Sequence, residues 1–405
     1  MSGGRTPDVS AEQRAYPYRR ACPYDPPPDL ARWHAESSVS RITLWNGRLT
    51  WIATGLDEAR TVLRDHRVFS SNPKAPGYPS LSAADEASKE SGLLSVTDPP
   101  LHDRLRRAVQ GEFTVRRVNE KRVQTEEIVR VLLDRLADER PPVDLVRSFA
   151  AEVPARFTCR LLGVPLDDAQ FFADCLSDRF DASAQHSSVH AADDRLAAYF
   201  DDVVQQRLGA PRDDLSGRLV RDHVANGELS ERQAAALLHV LLIGGFDTTR
   251  NMIAMGTILL LEHPDELARL QREPSRWPGA IEEMLRYLSV VQYERRAVTA
   301  DVELGGQSLK AGDGVLTVLH AANRDPRSFE RPDELDLDRP ANNHVVFGSG
   351  IHQCLGQPLA RMMLQVTYPR LFARFPSLRL LMPKEELRYH EGRTIWGPTE
   401  LPVAW

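Results

Sequence analysis

One cysteine in a glycine-rich stretch, FGSGIHQCLG at residues 347–356, is the position in this sequence best suited to chemistry. Cys354 follows glycines that permit backbone shapes and close approaches which side chains would block. A helix-forming stretch, CLGQPLARMMLQV, begins at the cysteine, and a helix N-terminus stabilises a thiolate through its dipole and free N–H groups. This setting favours a metal-binding thiolate over the small buried apolar role of an ordinary lone cysteine.

Other motifs that use glycine or cysteine do not match this stretch. Gly348 and Gly350 lack the third glycine of a dinucleotide-binding turn, and no Gly-Lys-Ser/Thr follows for a phosphate loop. His352 and Cys354 could begin a zinc site, but no second pair of ligands stands at a usable spacing. The other three cysteines are scattered along the chain, which argues against a disulfide framework.

The stretch FGSGIHQCLG resembles the haem-binding loop of the cytochromes P450. The matching positions are Phe347, Gly348, Gly350, His352, Cys354 and Gly356. The resemblance implies that Cys354 is the axial thiolate of haem b (iron protoporphyrin IX), which pushes electron density toward O–O cleavage. It also implies that Phe347 packs beside the sulfur and that the glycines let backbone N–H groups point at it.

A second mark of the same family is the sequence EEMLRY. Glu283 and Arg286 are three residues apart on one helix face, where such a pair is usually a solvated surface contact. In the family this pair is buried and joined by an arginine from a turn-rich segment, and Arg339 in DLDRP stands at the matching place. The resemblance therefore implies that these three residues are structural and lock the core behind the haem.

The two propionates of haem need cationic partners. His102 and Arg106, in DPPLHDRLRRAV, are four residues apart and share one helix face. Of the neighbours Arg295 and Arg296, the resemblance favours Arg296 as a propionate partner, because of its spacing to Thr299 and Asp301. Strand alternation points the two side chains to opposite faces. The resemblance then implies a propionate-binding set formed by His102, Arg106, Arg296 and either His344 or His352.

The longest helical pattern is SERQAAALLHVLLIGGFDTTRNMIAMGTILLLEHP. Ser230 and Gln233 form a capping box and Pro264 ends the pattern, which predicts a buried central helix of about 33 residues, about 50 Å long. Gly244–Gly245 costs about 1 kcal/mol per glycine in helix propensity, and the close approach of a flat ligand would offset this. Thr248 can donate back to a carbonyl near Gly244 and open the helix locally.

The rest of the chain predicts a mainly α-helical protein with small β-sheets. RITLWNGRLTWIAT predicts a β-hairpin, residues 100–270 are mostly helical, and residues 293–319 have strand periods. Residues 71–97 predict a long irregular loop, and no repeat or low-complexity linker divides the chain. We expect one domain over residues 1–405, with a Pro-rich N-terminal entry segment at 1–30. By resemblance, this domain has the cytochrome P450 fold with its long central helix over the haem.

The net charge and composition limit which binding partners the sequence predicts. A net charge of −6 and a pI near 6.1 give no sign of binding to nucleic acid or to an anionic membrane. The N-terminal stretch has neither an apolar signal core nor a membrane anchor, so we expect a cytoplasmic protein, as a monomer. No flavin or iron–sulfur module is found, so the resemblance implies electrons from a ferredoxin and a ferredoxin reductase. We expect the ferredoxin to dock near Arg104, Arg107 and Arg361.

The resemblance implies a haem-thiolate monooxygenase that inserts one oxygen atom of O2 into a small organic substrate, by hydroxylation or epoxidation. Asp247 and Thr248 match the acid–alcohol pair through which the family delivers protons. Details such as HQCLGQPLAR are most similar to the soluble actinomycete members, which oxidise natural products and xenobiotics. The alternatives are an oxidative enzyme that forms C–C or C–N bonds, a peroxide-using peroxygenase and a non-catalytic haem binder. The acid–alcohol pair counts against the last two.

The sequence does not identify the substrate, but it suggests where the substrate would bind. The candidate positions lie in the long loop, in the central helix, after the EEMLRY helix and near the C-terminus, and most are apolar. They are Leu93, Leu94, Val240, Ile243, Gly244, Val290, Val291, Gln292, Tyr293, Ile395 and Trp396. Gln292 and Tyr293 are the candidate polar anchors among them.

Overall fold

Helices are the main secondary structure of the described residues, as the sequence predicts. The computed structural model describes residues 20, 22–82, 85–86, 93–180, 186–340, 343–390 and 393–405, so most of the N-terminal entry segment and part of the long loop lie outside it. Within these residues the α-helices are α1 (Pro28–Glu36), α2 (Leu56–Arg64), α3 (Leu101–Gln110), α4 (Val115–Glu120), α5 (Arg122–Asp138), α6 (Glu152–Leu162), α7 (Ala169–Phe180), α8 (His186–Gly209), α9 (Leu215–Leu219), α10 (Glu231–Glu262), α11 (Pro264–Arg272), α12 (Trp277–Leu288), α13 (Leu319–Ala322) and α14 (Gln357–Arg374).

Short strands elsewhere in the described residues form three small sheets. The strands are β1 (Val39–Thr43), β2 (Leu49–Ala53), β3 (Phe69–Ser70), β4 (Val143–Asp144), β5 (Tyr293–Val298), β6 (Val302–Leu304), β7 (Gln307–Leu309), β8 (Gly314–Val318), β9 (Arg379–Leu380) and β10 (Pro402–Ala404). The largest sheet has the order β1-β2-β8-β5-β3, the second has the order β4-β10-β9, and β6 pairs with β7. The predicted hairpin is confirmed, because β1 and β2 pair antiparallel across a turn in which Gly47 has a φ of +79°.

Helix α10 crosses the molecule and packs against α6, α8 and α14. Its 32 residues give it a length of about 48 Å. The predicted capping box is present, since the Ser230 hydroxyl accepts from the Gln233 N–H and the Gln233 amide oxygen accepts from the Ser230 N–H. The helix ends at Glu262, just before Pro264 as predicted, and Pro264 begins the next helix. Among the described residues, no helix combines the length and the apolar character needed to span a membrane.

One long irregular segment precedes α3 in the chain and another follows α13. Residues 323–340 contain only turns and bends, as their turn-rich sequence predicts, and they lead to the loop that carries Cys354. The described part of the loop at residues 71–97 has one short 3₁₀ turn, Leu94–Val96, just before α3. Leu94 and Ser95 of this turn, α10 and the start of α14 line part of the cavity described below.

Candidate functional site

A cavity of about 340 Å³ lies between the middle of α10 and the loop that carries Cys354. Residues from α3, α6, α10, β5 and the start of α14 also line it, and most of them are apolar. Its volume and apolar character are typical of a site for a small molecule or cofactor. Of the predicted cofactor and catalytic residues, those that line the cavity are Arg106, Gly244, Thr248, Arg296, Phe347, Gly348, His352, Cys354 and Gly356.

The loop before α14 presents Cys354 to this cavity. The backbone N–H of Cys354 donates to the carbonyl of Phe347 at 2.8 Å, which closes the loop. Gly348 and Gly350 have φ values of +69° and +76°, in the left-handed region that glycine adopts without strain. A Cβ on Gly350 would lie 2.6 Å from the carbonyl oxygen of Leu63, so only glycine lets the loop pack on α2.

The surroundings of Cys354 have opposing effects on its thiol. The sulfur of Cys354 faces the open cavity, so the residue is exposed there. The protein around the cavity still removes water from the thiol, and this burial raises its pKa. The backbone N–H groups of Gly356 and Gln357 and the charges of Arg106 and Arg361 oppose that rise. A thiol in such a place keeps its proton until a metal cation replaces it. The site therefore favours a thiolate only with a metal bound.

Two arginines bring positive charge to the cavity. Arg106 of α3 donates to the carbonyl of Gln353 at 2.9 Å, beside Cys354. Arg296 of β5 donates to the carbonyl of Arg295 at 2.7 Å, and its guanidinium lies 3.3 Å from Glu294.

Arg295, the rival of Arg296, lies on the other face of β5, as strand alternation predicts. Its guanidinium pairs with Asp85 and lies 5.3 Å from the ring centre of Tyr78.

The candidate histidines divide into two groups. His352 lines the cavity, and the ring of His102 meets it edge-on with 4.5 Å between ring centres. Burial, with help from nearby positive charge, lowers the pKa of His352 to about 2. Neither Nε2 atom has a hydrogen-bond partner among the described residues. His344 does not line the cavity: its ring lies 3.3 Å from the carboxylate of Glu282, so of the two alternatives the geometry favours His352.

Glu283, Arg286 and Arg339 form a buried cluster behind the cysteine loop. Arg286 donates from Nε and Nη2 to the Glu283 carboxylate, both at 2.8 Å, and both side chains are fully buried. Arg339 Nε lies 3.1 Å from both carboxylate oxygens. Arg286 also donates to the carbonyls of Asn323 and Pro332 at 2.8 Å. The cluster thus ties α12 to the irregular segment that precedes Cys354.

On the opposite wall, α10 turns its glycine pair toward the cavity. A Cβ on Gly244 would meet nothing within 4 Å, so this turn presents bare backbone to the cavity. Thr248 Oγ1 donates to the Gly244 carbonyl at 2.9 Å, as the sequence predicts. The predicted local opening is absent, because the helix is continuous from Glu231 to Glu262. A threonine hydroxyl can share that carbonyl with the helix without breaking the backbone bond.

Asp247 is buried on the other side of Thr248 and does not line the cavity. One carboxylate oxygen lies 3.3 Å from the guanidinium of Arg250. The other oxygen has no hydrogen-bond partner among the described residues. Burial raises the pKa of Asp247, and the charges of Arg250 and Arg393 oppose that rise.

Five of the candidate substrate positions line the cavity: Leu94, Val240, Gly244, Val290 and Val291. Those that do not are Leu93, Ile243, Gln292, Tyr293, Ile395 and Trp396.

The polar groups of the two predicted anchors bind terminal segments of the chain instead of facing the cavity. Gln292 accepts from Arg20 at 3.1 Å and donates to the Arg393 carbonyl at 2.7 Å, and Tyr293 bonds the Thr394 hydroxyl at 3.0 Å. Trp396 likewise donates to Pro23 at 2.8 Å, and Ile395 pairs with Val291 through the backbone.

Sequence reasoning missed one wall of the cavity. Phe157, Thr158 and Leu161 of α6 line it beside the glycine pair of α10. The Thr158 hydroxyl lies 3.4 Å from where a Cβ of Gly245 would stand. The glycine pair was the available signal, because two adjacent glycines let a second helix approach as well as a ligand. Glu294, the one carboxylate among the lining residues, was also missed.

These residues fit an iron porphyrin. A cysteine sulfur faces a largely apolar cavity, which suits a soft metal ligand and a flat apolar ring. Arg106 and Arg296 line the same cavity, and the Nε2 atoms of His102 and His352 are buried with no described partner. The Nδ1 atom of His102 lies 2.9 Å from the Asp103 carboxylate. Two carboxylates need cationic partners and hydrogen-bond donors. The two arginines provide both, and a histidine Nε2 atom donates when it carries a proton.

Comparison with known proteins agrees with this site. A family model described as cytochrome P450 matches residues 177–388. The chain is similar to vitamin D3 dihydroxylase of Streptomyces griseolus, with 41% identity over 100% of both chains. Among solved structures it is similar to mycinamicin VIII C21 methyl hydroxylase of Micromonospora griseorubida bound to mycinamicin VIII, with a TM-score of 0.91, 35% identity, and 97% and 100% of the two chains covered. It is also similar to SgvP, a putative thioether synthase of griseoviridin tailoring, with a TM-score of 0.91, 36% identity, and 97% and 99% covered.

The chain therefore belongs to the cytochrome P450 family. It is an oxidoreductase with the family's mainly α-helical fold, and its cofactor is haem b. Its relatives include P450s of Streptomyces and other actinomycetes, as the resemblance implied.

Proposed function

We propose that this protein is a monooxygenase that hydroxylates or epoxidises a small, largely apolar organic compound, such as a natural product, with O2 and electrons from a ferredoxin. The observation that carries the proposal is the pairing of Cys354 on one wall of the cavity with Gly244 and Thr248 on the other. Two relatives whose names describe hydroxylation support it, since they match over the whole chain.

The residues on the two walls have different tasks. Cys354 would hold the iron of haem b, and Arg106, Arg296, His102 and His352 would hold its propionates. When bound, haem b supplies the chemistry that reduces and splits O2.

The proton-handling residues belong to α10. Thr248 holds a hydroxyl at the cavity wall, and Asp247 holds a carboxyl behind it whose pKa is raised by burial. A group with such a pKa exchanges protons more readily near neutral pH than an ordinary carboxylate. We assign Asp247 and Thr248 to proton delivery, in that order from the interior to the cavity.

The cavity wall also bears on the substrate. Leu94, Val240, Val290 and Val291 present apolar surface next to Gly244, which favours an apolar substrate held by shape.

The ferredoxin would dock on the face of α3 near Arg104 and Arg107, which are exposed. Arg361 is a weaker candidate than the sequence suggests. It forms a two-point ion pair with Glu282 at 2.6 and 2.9 Å and lies 4.5 Å over the ring of Phe347. Its charge is therefore already partnered within the protein.

Turnover in the presence of ¹⁸O2 tests the proposal. Compounds that shift the haem spectrum on titration would be incubated with a surrogate ferredoxin, its reductase and ¹⁸O2, and the products analysed by mass. We expect one ¹⁸O atom in the product. Product that carries no ¹⁸O would contradict monooxygenation.

A second candidate function is oxidative bond formation between two parts of a substrate. The similarity to SgvP favours including it, because that protein is named as a putative thioether synthase. The same incubation distinguishes the two, since coupling removes two hydrogen atoms from the substrate mass and adds no oxygen.

A further inference from the structure

The buried carboxylate of Asp247 is connected to the C-terminal loop through one arginine. Arg250 Nη1 lies 3.3 Å from Asp247 Oδ1, and Arg250 Nη2 lies 2.6 Å from Nε2 of His390. The side chains of Asp247 and Arg250 are 3% and 13% exposed, and His390 is half-buried. The three residues therefore lead from the interior of α10 toward the surface.

The chemistry of this contact fixes the state of the imidazole. A guanidinium has only donors, so Nε2 of His390 must accept, and the neutral ring carries its proton on Nδ1. The guanidinium of Arg250 is thus shared between a carboxylate and a neutral ring. Its Nε has no partner among the described residues, and the 3.3 Å contact is long for a strong ion pair. Asp247 therefore contacts Nη1 of a guanidinium whose Nη2 is bound to His390.

The loop that carries His390 is fixed against α10. The backbone N–H of His390 donates to the carbonyl of Gly397 at 3.0 Å. A Cβ on Gly397 would lie 2.1 Å from the side-chain oxygen of Asn251, so only glycine allows this close contact. Asn251 in turn donates to the backbone carbonyl of Asp247 at 2.9 Å. The position of His390 relative to Asp247 is therefore set by packing.

We infer that His390 is a positioning residue for Asp247, because its imidazole accepts from Arg250 and so limits the hold of that guanidinium on the carboxylate. Asp247 then stays weakly paired and able to exchange protons, which rests on its proposed role in proton delivery. Without the imidazole, Arg250 has one fewer acceptor and turns fully to Asp247. Arg393, from the same loop, also acts on Asp247 and stays in place in every variant described below.

The pKa of Asp247, followed by infrared spectroscopy of the ferric protein at rest, tests this inference without turnover. The carboxyl band is assigned by its loss in Asp247→Asn. His390→Leu should lower the pKa of Asp247 by about one unit, because the ion pair tightens. Arg250→Met should raise it by about one unit or more, because the cation is gone. Opposite shifts from two neighbouring residues are not expected from a general loss of structure.

The matched control is His390→Gln, whose amide oxygen can accept from Arg250 and should restore the wild-type pKa. A His390→Leu protein with an unchanged or raised Asp247 pKa would overturn the inference. If His390→Leu proves unstable, the agreement of His390→Gln with the wild type and the rise in Arg250→Met decide it, and a lowered pKa in Arg250→Met would equally overturn it.

Coupling of reductant to product separates this inference from the proposed function. We expect coupling to fall several-fold in His390→Leu and to recover in His390→Gln. If the pKa of Asp247 shifts as expected while coupling does not change, the positioning role stands and the role of Asp247 in proton delivery fails.

Discussion

Two buried clusters behind the walls of the cavity differ in how fully their polar groups are hydrogen-bonded. Behind the cysteine loop, Glu283 receives Arg286 and Arg339 at 2.8–3.1 Å, and Arg286 uses its other donors on backbone carbonyls. Around Asp247, by contrast, one carboxylate oxygen, the Nε of Arg250 and the side-chain oxygen of Asn251 are buried without partners among the described residues. The cluster of Glu283 has its charges fully paired, and the cluster around Asp247 has some polar atoms without a described partner.

This difference matches two different demands. A metal ligand needs a fixed position, and a fully bonded ion cluster resists displacement because removing one partner leaves a buried charge. A proton-delivery group must change its charge and partners during each cycle, which a fully bonded cluster would prevent. Unsatisfied buried polar groups are costly in a rigid core, and we attribute those around Asp247 to its proposed role in proton delivery.

The largest effect is expected at Cys354. Cys354→His should replace the long-wavelength Soret band of the reduced carbon monoxide complex, which gives the family its name, with that of imidazole-ligated haem. Activity should be lost. Difference spectra of the reduced protein with and without carbon monoxide measure this. Cys22→Ser, at a half-buried cysteine that does not line the cavity, is the control and should keep the band. A thiolate spectrum from Cys354→Ser would refute the assignment.

Breaking the buried ion cluster of Glu283 should reduce the stability of the protein. Glu283→Ala leaves Arg286 buried and unpaired, at a cost of about 3–5 kcal/mol, so little haem-loaded protein should form. The ratio of Soret to protein absorbance and the melting temperature report this. The adjacent Glu282→Ala removes a half-exposed pair with Arg361 and the contact with His344, and should cost about 1 kcal/mol or less. Well-folded, fully loaded Glu283→Ala would remove the structural role of the cluster.

A substitution on the α10 wall of the cavity should reduce coupling of reductant to product while stability changes little. Thr248→Ala should bind haem and substrate but release mostly peroxide, with coupling to product down by about 100-fold or less, the lower range for positioned acid–base groups. Reductant consumed per product formed is the measurement.

Thr257 provides the control for this change. Its hydroxyl donates to the Ile253 carbonyl at 2.8 Å, the same intrahelical bond, away from the cavity. Thr257→Ala should therefore keep coupling. Full coupling in Thr248→Ala would point to bound water or a substrate hydroxyl as the donor.

The smallest effect concerns His320, a buried histidine of α13 that belongs to neither wall. Burial and the charges of Arg20 and Arg324 hold its pKa well below the usual range, although the carbonyl of Gln292 opposes this. The unfolded chain takes up a proton on this ring below about pH 6.5 and the folded protein does not, so lowering the pH favours unfolding.

His320 should therefore contribute up to about 1.4 kcal/mol of lost stability per pH unit below 6.5. Denaturant unfolding between pH 5 and 7 measures the slope. His320→Gln keeps a donor for the Gln292 carbonyl and should flatten it. An unchanged slope would show that His320 takes up its proton equally in the folded and the unfolded protein.

Short-range signals in the sequence gave correct predictions. The capping box of α10, the hairpin at Gly47 and the opposite faces of Arg295 and Arg296 all follow from local geometry. Contacts between distant segments could not be predicted in this way. Nothing near Gln292 or Trp396 indicates that their polar groups bind Arg20 and Pro23, more than 250 residues away.

The missed elements share that cause. The α6 wall and the contact between Arg250 and His390 depend on which helix or loop packs beside α10. A single sequence carries no pattern for that choice. Recognition of the family fixed the haem loop and the paired acid and alcohol, but not the partners of Asp247.

The alternation of β5 has a consequence for how this protein can change. Arg296 faces the cavity and Arg295 faces Asp85, so substitutions along the strand alter one side at a time. Deletion of a single residue between Tyr293 and Val298 would instead exchange the two faces, since the side-chain period of a strand is two. Both the cavity and the anchoring of the loop at Asp85 would then be lost together. We expect this strand to accept many replacements and no change of length.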